Sequence, residues 1–444
     1  MKSFKTFNLN RRQVIGTAIG GAAAARLGAP SATFAAPAVR FQDGVTLEVW
    51  GGVPAENGPQ ALVDAFMDAN PGITVNYTRY VNDDTGNTQL DTALQGGTLI
   101  DLFFTYQVSR LGQRIGAGAA ADITQYVTDD AEINEWITTT DGIFVTEEGV
   151  YHAIPTTQEP TFLFINKNAF EDAGIEIPQA GWTIDEFVEL SREMTGDLAF
   201  GTYGPPNTAG MKLGANAWYK EGGAESNFDD PAFAETYGRH RDMIDEGIAF
   251  PWTDVIAQNL RAYAQTPFLT EQVHLWVNSP WSLRYVNDKE QYPHDFVTTF
   301  APLPKLPDVE QQYTGQGINN WILMGADTQF PDEAWQLMRY WLTDGAEYML
   351  PAGKIPTYLT FDEETVVAGL LGPDAEELYD VEAFRSVTFD PDIRYFTDTI
   401  TTGAAEITNL LTGLEDRLLI GEIDIDQFIT DLKAGADDIL AGAS

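Results

Sequence analysis

The residues that could do chemistry are four histidines, 66 acidic residues and many aromatic rings. The histidines are not at metal-ligand spacing from one another, and the sequence has no GxSxG, HExxH or P-loop pattern. No nucleophile stands beside a base. Asn82-Asp83-Asp84 and Asp288 lack the twelve-residue spacing of a calcium loop. We therefore predict no catalytic residue, no metal site and no cofactor, and we expect His240, in an acidic segment, to be a solvated surface residue.

Paired carboxylates are the chemistry of glycoside hydrolases. Because 66 acidic residues provide many pairs, any single pair is weak evidence. A secreted glycoside hydrolase therefore stays open as an alternative from a different function class.

The aromatic residues indicate sugar binding. Sugars present apolar C–H faces and hydroxyl edges, so a sugar site needs flat rings together with carboxylates, amides or arginines. Aromatic residues at predicted strand ends or in loops are Trp50, Tyr106, Trp218, Tyr219, Trp281 and Trp321. Each could instead fill a core. For Trp335 and Trp341, at helical spacing, the core interpretation is favoured.

Composition limits the partners. The chain has 444 residues, no cysteine and a formal net charge of −41. Its length predicts two or three domains, its charge argues against nucleic acid as a partner, and the missing cysteines exclude disulfides and a lipid-modified N-terminal cysteine. The acidity is typical of a saline habitat, or of an ordinary acidic exported protein.

Residues 1–38 predict an export signal. Lys2, Lys5 and the pair Arg11-Arg12 precede a mild apolar stretch, and small residues follow it. The arginine pair resembles a twin-arginine signal, with an ordinary secretory signal as the alternative. We expect an exported protein, in the periplasm or at the extracellular face of the cytoplasmic membrane, and not lipid-anchored through cysteine.

Alternating strands and helices predict an open, mostly parallel α/β sheet. Strands are expected at 45–50, 73–77 and 100–104, and helices at 57–70 and 88–95. Ligands of such sheets bind at the carboxyl ends of the strands. This places Trp50 and residues 105–110 at a cleft edge.

The segment 149–196 predicts a crossing between two lobes. A short strand at 150–154 ends at Pro155, a polar stretch follows at 156–160, and an apolar run at 161–165 is typical of a strand buried on both faces. Thr183 and Glu186 then form a capping box. We interpret 156–160 as a hinge strand at the floor of a cleft and expect the return crossing at 300–307.

These segments resemble extracellular solute-binding proteins of family 1, the maltose-binding-protein-like receptors of ABC importers. The similar stretches follow the family's order over the mature chain up to about residue 360: FMDANPGITVNY, GGTLIDLFF, AADITQYV, GVYHAIP, LFINKNAFEDAGI, GWTIDEF, QVHLWVNSPWSL, APLPKLP, TGQGINNWILMGADTQFPDEAWQLMRYWL and GKIPTYL. The resemblance implies an α/β, two-lobed periplasmic-binding-protein-like fold with hinge crossings and a ligand cleft between the lobes.

The resemblance also implies site residues. Glu159 matches an acidic residue of the first crossing that contacts sugar hydroxyls, and Trp281 matches a tryptophan that stacks on the sugar, although Ser279-Pro280 replaces Gly-Pro. Ser109-Arg110 keeps the arginine of an Asp-Arg pair and loses the aspartate, which puts maltodextrin specificity in doubt. The full predicted ligand set is Glu159, Trp281, Arg110, Trp50, Tyr106, Trp218, Tyr219, Gln316 and Asn319.

The expected function is a monomeric receptor that closes two lobes around a mono- or oligosaccharide and docks on ABC permease subunits in the membrane. Residues 39–158 and 305–352 are predicted to form lobe 1, and residues 159–304 and 353–444 lobe 2. A non-sugar ligand, such as a sugar phosphate or a polyamine, is the alternative within the same class. A phosphate would need helix N-termini or more cleft cations than Arg110 alone.

Overall fold

The computed structural model describes residues 44–140, 142–146, 148–261, 263–358 and 361–443. The predicted export signal lies outside the described residues. Within these ranges, no helix is long and apolar enough to cross a membrane.

Strands in the described ranges form two separate sheets. In chain order they are β1 (Val45–Gly51), β2 (Ile73–Arg79), β3 (Leu102–Thr105), β4 (Ala153–Pro160), β5 (Phe162–Asn166), β6 (Phe200–Thr202), β7 (Val273–Asn278), β8 (Thr298–Ala301), β9 (Gly315–Met324), β10 (Ile355–Pro356) and β11 (Tyr395–Phe396). The large sheet has the order β10-β4-β9-β3-β1-β2, with β11 also paired to β9, and the small sheet has the order β6-β7-β5-β8.

Helices surround both sheets. They are α1 (Pro59–Ala69), α2 (Asp84–Gln95), α3 (Val108–Gly116), α4 (Thr124–Asp129), α5 (Ala131–Thr139), α6 (Lys167–Ala173), α7 (Ile184–Glu193), α8 (Thr208–Leu213), α9 (Pro231–Asp245), α10 (Trp252–Ala257), α11 (Gln265–Leu269), α12 (Leu283–Val286), α13 (Pro331–Leu342), α14 (Glu363–Leu371), α15 (Ala375–Leu378), α16 (Val381–Thr388), α17 (Ala404–Leu419) and α18 (Ile425–Ala443). Short 3₁₀ helices span Ala55–Asn57, Pro280–Ser282 and Ala346–Ala352. The capping box predicted at α7 is confirmed: Thr183 N donates to the Glu186 carboxylate at 2.6 Å, and Glu186 N donates to the Thr183 hydroxyl at 3.3 Å.

The large sheet is mixed rather than mostly parallel. Strand β1 pairs in parallel with β2 and β3, as the sequence predicts, but β9 is antiparallel to both β3 and β4. The difference arises because β4 and β9 connect the two sheets, one leaving the large sheet and the other returning to it. The alternation of strands and helices therefore predicts only the β2-β1-β3 part correctly.

The first crossing is a continuous strand. Pro155 does not end it, since β4 runs to Pro160 and pairs with β9 in the register Glu159 opposite Gln316 and Pro160 opposite Gly315. Proline is tolerated at position 155 because β10 pairs with β4 only at Thr157 and Gln158, which leaves that side of Pro155 without a strand. Strand β5 begins two residues after β4 and is buried along its whole length, as predicted.

The return crossing lies later than expected. Residues 302–313 stay with the small sheet: Lys305 N donates to Trp182 O at 2.7 Å, and Tyr313 N donates to Met211 O at 2.9 Å. The chain joins the large sheet at Gly315, where Thr161 N donates to Thr314 O at 3.1 Å. The expected crossing at 300–307 is thus corrected to Thr314–Gly315, directly beside the first crossing.

Each sheet has its own hydrophobic core. Phe300 packs edge-on against Phe162 and Phe164 within the small-sheet core, which α16, α17 and α18 extend. Trp335 and Trp341 are buried against the large sheet, as their helical spacing predicts. Two cores joined by adjacent strands make two lobes. Strands β10 and β11 pair with the large sheet, although the sequence predicts that residues 353–444 belong to lobe 2. The remaining lobe boundaries stay a prediction.

Candidate functional site

A cleft lies between the lobes where β4 and β9 cross. Its first cavity, of about 270 Å³, is named the Trp281 cavity. A second cavity of about 250 Å³, the Trp218 cavity, shares Tyr106, Gln107 and Asn319 with the first. The Trp281 cavity is lined by Gly52, Val53, Asn82, Tyr106, Gln107, Glu159, Asn319 and Lys354 on the large-sheet side and by Tyr263, Trp281 and Arg284 on the small-sheet side. Two linked cavities give the cleft room for more than one ring of a ligand.

Glu159 lies at the floor of the Trp281 cavity. Its Oε1 accepts hydrogen bonds from Asn320 Nδ2 at 2.7 Å and Lys354 Nζ at 3.0 Å, and its Oε2 accepts one from Asn319 Nδ2 at 3.1 Å. Burial alone would raise the pKa of Glu159, but Lys354 and the two amides outweigh it and hold the pKa below its usual range. Glu159 is therefore an ionised acceptor, and Oε2 keeps acceptor capacity for a ligand hydroxyl.

Two consecutive asparagines reach the same carboxylate because the backbone turns between them. Successive side chains of a strand normally point to opposite faces. Asn320, however, has φ +53°, a left-handed conformation that asparagine adopts more readily than most residues. Its backbone N–H donates to Asn319 Oδ1 at 2.7 Å, which ties the Asn319 side chain to the backbone of Asn320. This local distortion of β9 builds the amide pair around Glu159.

Trp281 forms one wall of the cavity. It lies in the 3₁₀ helix that follows β7, and its ring contacts Tyr263 and Tyr285 edge-on at centroid distances of 6.2 and 6.1 Å. The guanidinium carbon of Arg284 lies 5.4 Å from the Trp281 ring centroid. The tryptophan is half-buried and its position is fixed by these contacts, so it can offer ring surface to a ligand in the cavity.

Tyr106 lies where the two cavities meet. Gly52 N donates to its hydroxyl at 2.6 Å, and a Cβ at Gly52 would come within 2.8 Å of the tyrosine ring, so glycine is required there. Lys354 Nζ lies 5.9 Å from the ring centroid. The ring is thus fixed between the two cavities and lines both.

The Trp218 cavity combines a ring with a carboxyl group. Trp218 is half-buried, and Asp398 accepts a hydrogen bond from Asn216 N at 2.5 Å. Burial raises the pKa of Asp398, and the Asn216 N–H opposes that shift only in part. Tyr219 also lines this cavity but is 8% exposed and donates to Thr402 O at 3.0 Å, so it serves mainly the core.

Two predicted ligand residues are not placed in the cleft, and the side chain of a third is outside the described part of the structure. Trp50 packs beside Phe103 and Trp321 in the core, and Trp321 is itself fully buried. Arg110 faces α2 and pairs with Asp84 at 2.8 Å, while the preceding Ser109 lines the Trp218 cavity. The geometry therefore does not support ligand contacts by Trp50 or Arg110. The third residue, Gln316, lies on β9, and its side chain is outside the described part of the structure.

Sequence reasoning missed several residues of the cleft. They are Asn82, Tyr263, Arg284, Asn320, Lys354 and Asp398. Lys354 stands in the GKIPTYL stretch and Arg284 directly follows QVHLWVNSPWSL, so both lay at segments already singled out. The paired asparagines in a strand were a usable signal. Asp398 had none, since it lies in a loop remote from every quoted motif.

Two of the histidines contact the core or the backbone. His240 is not the solvated residue that the sequence predicts: its ring contacts Trp252 edge-on at 5.6 Å, and burial lowers its pKa to about 4. His152 Nδ1 lies 2.9 Å from Ala121 O. Among the residues the structure describes, no group of three histidines or acids is arranged to hold a metal ion.

Two α/β lobes joined by adjacent crossing strands, with a cleft between them, define the two-lobed fold of periplasmic binding proteins. The family model "Bacterial extracellular solute-binding protein" matches residues 54–348, and the chain belongs to this family. The resemblance inferred from the motifs is confirmed. A binding protein of Brucella abortus is 24% identical over 414 residues, covering 87% of this chain and 91% of the relative.

Solved structures share the fold. An ABC substrate-binding protein of Listeria monocytogenes, in complex with cycloalternan, has a TM-score of 0.73 at 19% identity and covers 90% of this chain and 99% of its own. The GacH receptor of Streptomyces glaucescens, solved unliganded and with acarbose, has a TM-score of 0.66 at 18% identity, covering 90% and 100%. A solute-binding protein of Thermotoga lettingae bound to α-D-tagatose has a TM-score of 0.66 at 16% identity, covering 89% and 100%.

Proposed function

We propose that this protein is the extracytoplasmic receptor of an ABC importer for a carbohydrate. The observation that carries the proposal is the Trp281 cavity. There, the Trp281 ring faces a cleft whose floor holds an ionised carboxylate with acceptor capacity left for a hydroxyl. Rings beside charge-assisted acceptors are the groups that a sugar requires. The similar structures with cycloalternan, acarbose and tagatose are consistent with this ligand class.

The proposed mechanism is closure of the lobes by bending at the paired crossings. The lobes are joined side by side at Thr161 and Thr314, so a small change of backbone angles there swings one lobe relative to the other. A ligand that contacts Glu159 on one lobe and Trp281 on the other stabilises the closed form. The closed form would then dock on the permease subunits, with the receptor acting as a monomer.

The contacts can supply a useful affinity. Micromolar binding requires about −8 kcal/mol. A stacked ring contributes about 1 kcal/mol beyond its area burial, and a hydrogen bond to a charged group about 1.5–3 kcal/mol. Trp281, Tyr106 and Glu159, together with the area buried on closure, are of the right order to reach that value.

Binding rather than hydrolysis is favoured by the acidic residues. A glycosidase needs two carboxyl groups at one bond, and its general acid needs a raised pKa. Within the described residues, Glu159 is the one acidic residue that lines the Trp281 cavity, and Lys354 and the amides lower its pKa against the effect of burial. Asp398, whose pKa burial raises, lines the Trp218 cavity and not the Trp281 cavity. A secreted glycoside hydrolase is therefore the weaker candidate.

A charged ligand is the second candidate within the same class. Arg284 and Lys354 line the Trp281 cavity, so it holds more cations than Arg110 alone would provide. This favours a sugar phosphate over a polyamine, whose own positive charges would meet both groups.

A sugar panel tests the function. Thermal shift and calorimetric titration are run at several salt concentrations, with product analysis after long incubation. We expect saturable binding of a sugar without turnover; sustained product formation would refute the receptor. Trp281→Ala is expected to abolish the ligand-induced fluorescence change in a folded protein. Trp136→Ala, which removes a half-buried tryptophan outside both cavities, is the matched control.

A further inference from the structure

Arg284 is a buried cation without an acidic partner. Its residue is 9% exposed, its Nε is shielded from solvent and has no hydrogen-bond partner, and no carboxylate oxygen in the described residues lies within the 4.0 Å of an ion pair. By contrast, Arg114, which is also buried, pairs with Asp91 at 2.7 Å. In a chain with 66 acidic and 25 basic residues, a buried arginine without a carboxylate is unexpected.

The contacts of Arg284 are with neutral groups. Nη2 donates to the Tyr285 hydroxyl at 3.1 Å, and Nη1 donates to Ala352 O at 3.5 Å. The guanidinium also lies over the rings of Tyr285 and Trp281, at 4.8 and 5.4 Å from their centroids. These contacts position the group but leave it without an ion-pair partner within the described residues. Nη1 and Nη2 each keep an N–H for a further acceptor, and the Nε–H becomes available if the guanidinium turns.

The lining of the Trp281 cavity has a net charge opposite to that of the chain. Its ionisable groups with a full charge are Arg284, Lys354 and Glu159, which gives a net of +1. The negative charge of Glu159 is already committed to Lys354 at 3.0 Å. Arg284 therefore presents the positive charge of this cavity that has no ion-pair partner in the described part of the chain, over the ring of Trp281.

We propose that the ligand is an acidic carbohydrate, with a carboxylate or phosphate group that binds Arg284 while its sugar ring stacks on Trp281. This rests on the proposed carbohydrate function and narrows it to a charged subset. The planar guanidinium can donate two parallel hydrogen bonds to either anion, and the anion supplies the counter-charge that the fold omits.

Matched ligands separate the charge from the shape. The probes are D-glucuronate, D-galacturonate and D-mannuronate, each with its uncharged methyl ester and its neutral parent sugar, together with the 6-phosphates of the parent sugars. Affinity is measured by calorimetric titration. We expect one acid to bind at least tenfold more tightly than its ester and its parent. The uronate and phosphate arms identify which anion is bound.

Variants assign the preference to Arg284. Arg284→Met keeps an apolar stem and should abolish the preference for the acid, while Arg110→Met, at a cation outside both cavities, should retain it. If Arg284→Met does not fold, Arg284→Lys is used instead. It keeps the positive charge but lacks the paired N–H donors of the guanidinium, and it should bind the acid at least threefold more weakly than the wild type. The inference is overturned if an ester or parent sugar binds as tightly as its acid, or if the preference survives Arg284→Met. Binding of neutral sugars alone leaves the carbohydrate receptor intact, whereas no binding of any sugar removes both.

Discussion

Replacing Glu159 with glutamine is expected to leave a buried ammonium without its counter-charge. Lys354 is 5% exposed, and Glu159 is its partner at 3.0 Å. Glutamine keeps the shape, and its one carbonyl oxygen can still accept from Asn320, but its NH2 group would face the Asn319 donor, so one hydrogen bond is lost together with the charge. Breaking a buried pair on one side typically costs about 3–5 kcal/mol. We therefore expect Glu159→Gln to lower the free energy of unfolding by about that amount at neutral pH.

The loss should shrink as pH rises. Burial lowers the pKa of Lys354, Glu159 opposes this shift, and the nearby Arg284 adds to it. Removing Glu159 lowers that pKa further. Between the lowered folded value and the unfolded value of about 10.4 the unfolded chain binds the extra proton, so stability increases with pH in this window. The stability of the wild type should also increase with pH, but over a narrower pH range.

Urea unfolding at pH 7 and pH 9 measures both effects, because urea adds no ionic screening. Lys354→Met in the Glu159→Gln background should recover more than half of the loss, since it removes the unpaired charge. Asp84→Asn is the control: it breaks the pair with Arg110, but Asp84 is 97% exposed, so the cost should stay below about 1 kcal/mol. A Glu159→Gln protein as stable as the wild type at pH 7 would refute the reasoning.

Two further predictions concern positions outside the ion pair. Burial lowers the pKa of His240 to about 4. Between pH 6.5 and 4 the unfolded chain therefore takes up a proton that the folded protein does not, and the free energy of unfolding of the wild type should fall by up to about 3 kcal/mol. His240→Phe should remove this acid-dependent loss. Urea titrations across that range should show a flatter profile for the variant. Gly353→Ala should destabilise by more than about 1 kcal/mol, since Gly353 has φ +72° and an added Cβ would lie 2.0 Å from Pro280 O. Urea unfolding measures this loss, and an unchanged midpoint would contradict it.

Local patterns made much of the fold predictable. The capping box at Thr183 and the buried strand β5 follow from nearest-neighbour chemistry and apolar runs, and the structure has both. The direction of the strands was harder to predict from the sequence, because the antiparallel strand β9 pairs with β4, which lies more than 150 residues earlier in the chain. The return crossing was predicted at 300–307 but lies at Thr314, because the spacing of prolines does not show which lobe a loop packs against.

The site residues, like the strands, were predictable where the signal is local and not where it depends on long-range contacts. Tyr106, Glu159 and Trp281 stand at strand ends or crossings, where local sequence marks them, and all three line the Trp281 cavity. Arg284 and Lys354 reach it from segments 70 residues apart, so their proximity is a property of the tertiary structure. Trp50 and Arg110 lie near strand ends, as predicted, but their side chains do not reach the cavity. Trp50 packs against a hydrophobic core, and Arg110 pairs with Asp84.

The contrast between an acidic protein and a positive cavity has a kinetic consequence for an acidic ligand. A chain with a formal net charge of −41 repels an anion during approach, while the attraction of Arg284 acts only at short range inside the cleft. Salt shortens the Debye length from about 10 Å at 0.1 M to about 3 Å at 1 M, so it should screen the approach far more than the buried contact. The association rate of a bound uronate, measured by stopped-flow fluorescence, should therefore rise with salt, whereas the rate for its methyl ester should stay flat. A uronate rate that falls with salt would mean that the attraction of the cleft already extends into solution, and the short-range assignment to Arg284 would then be wrong.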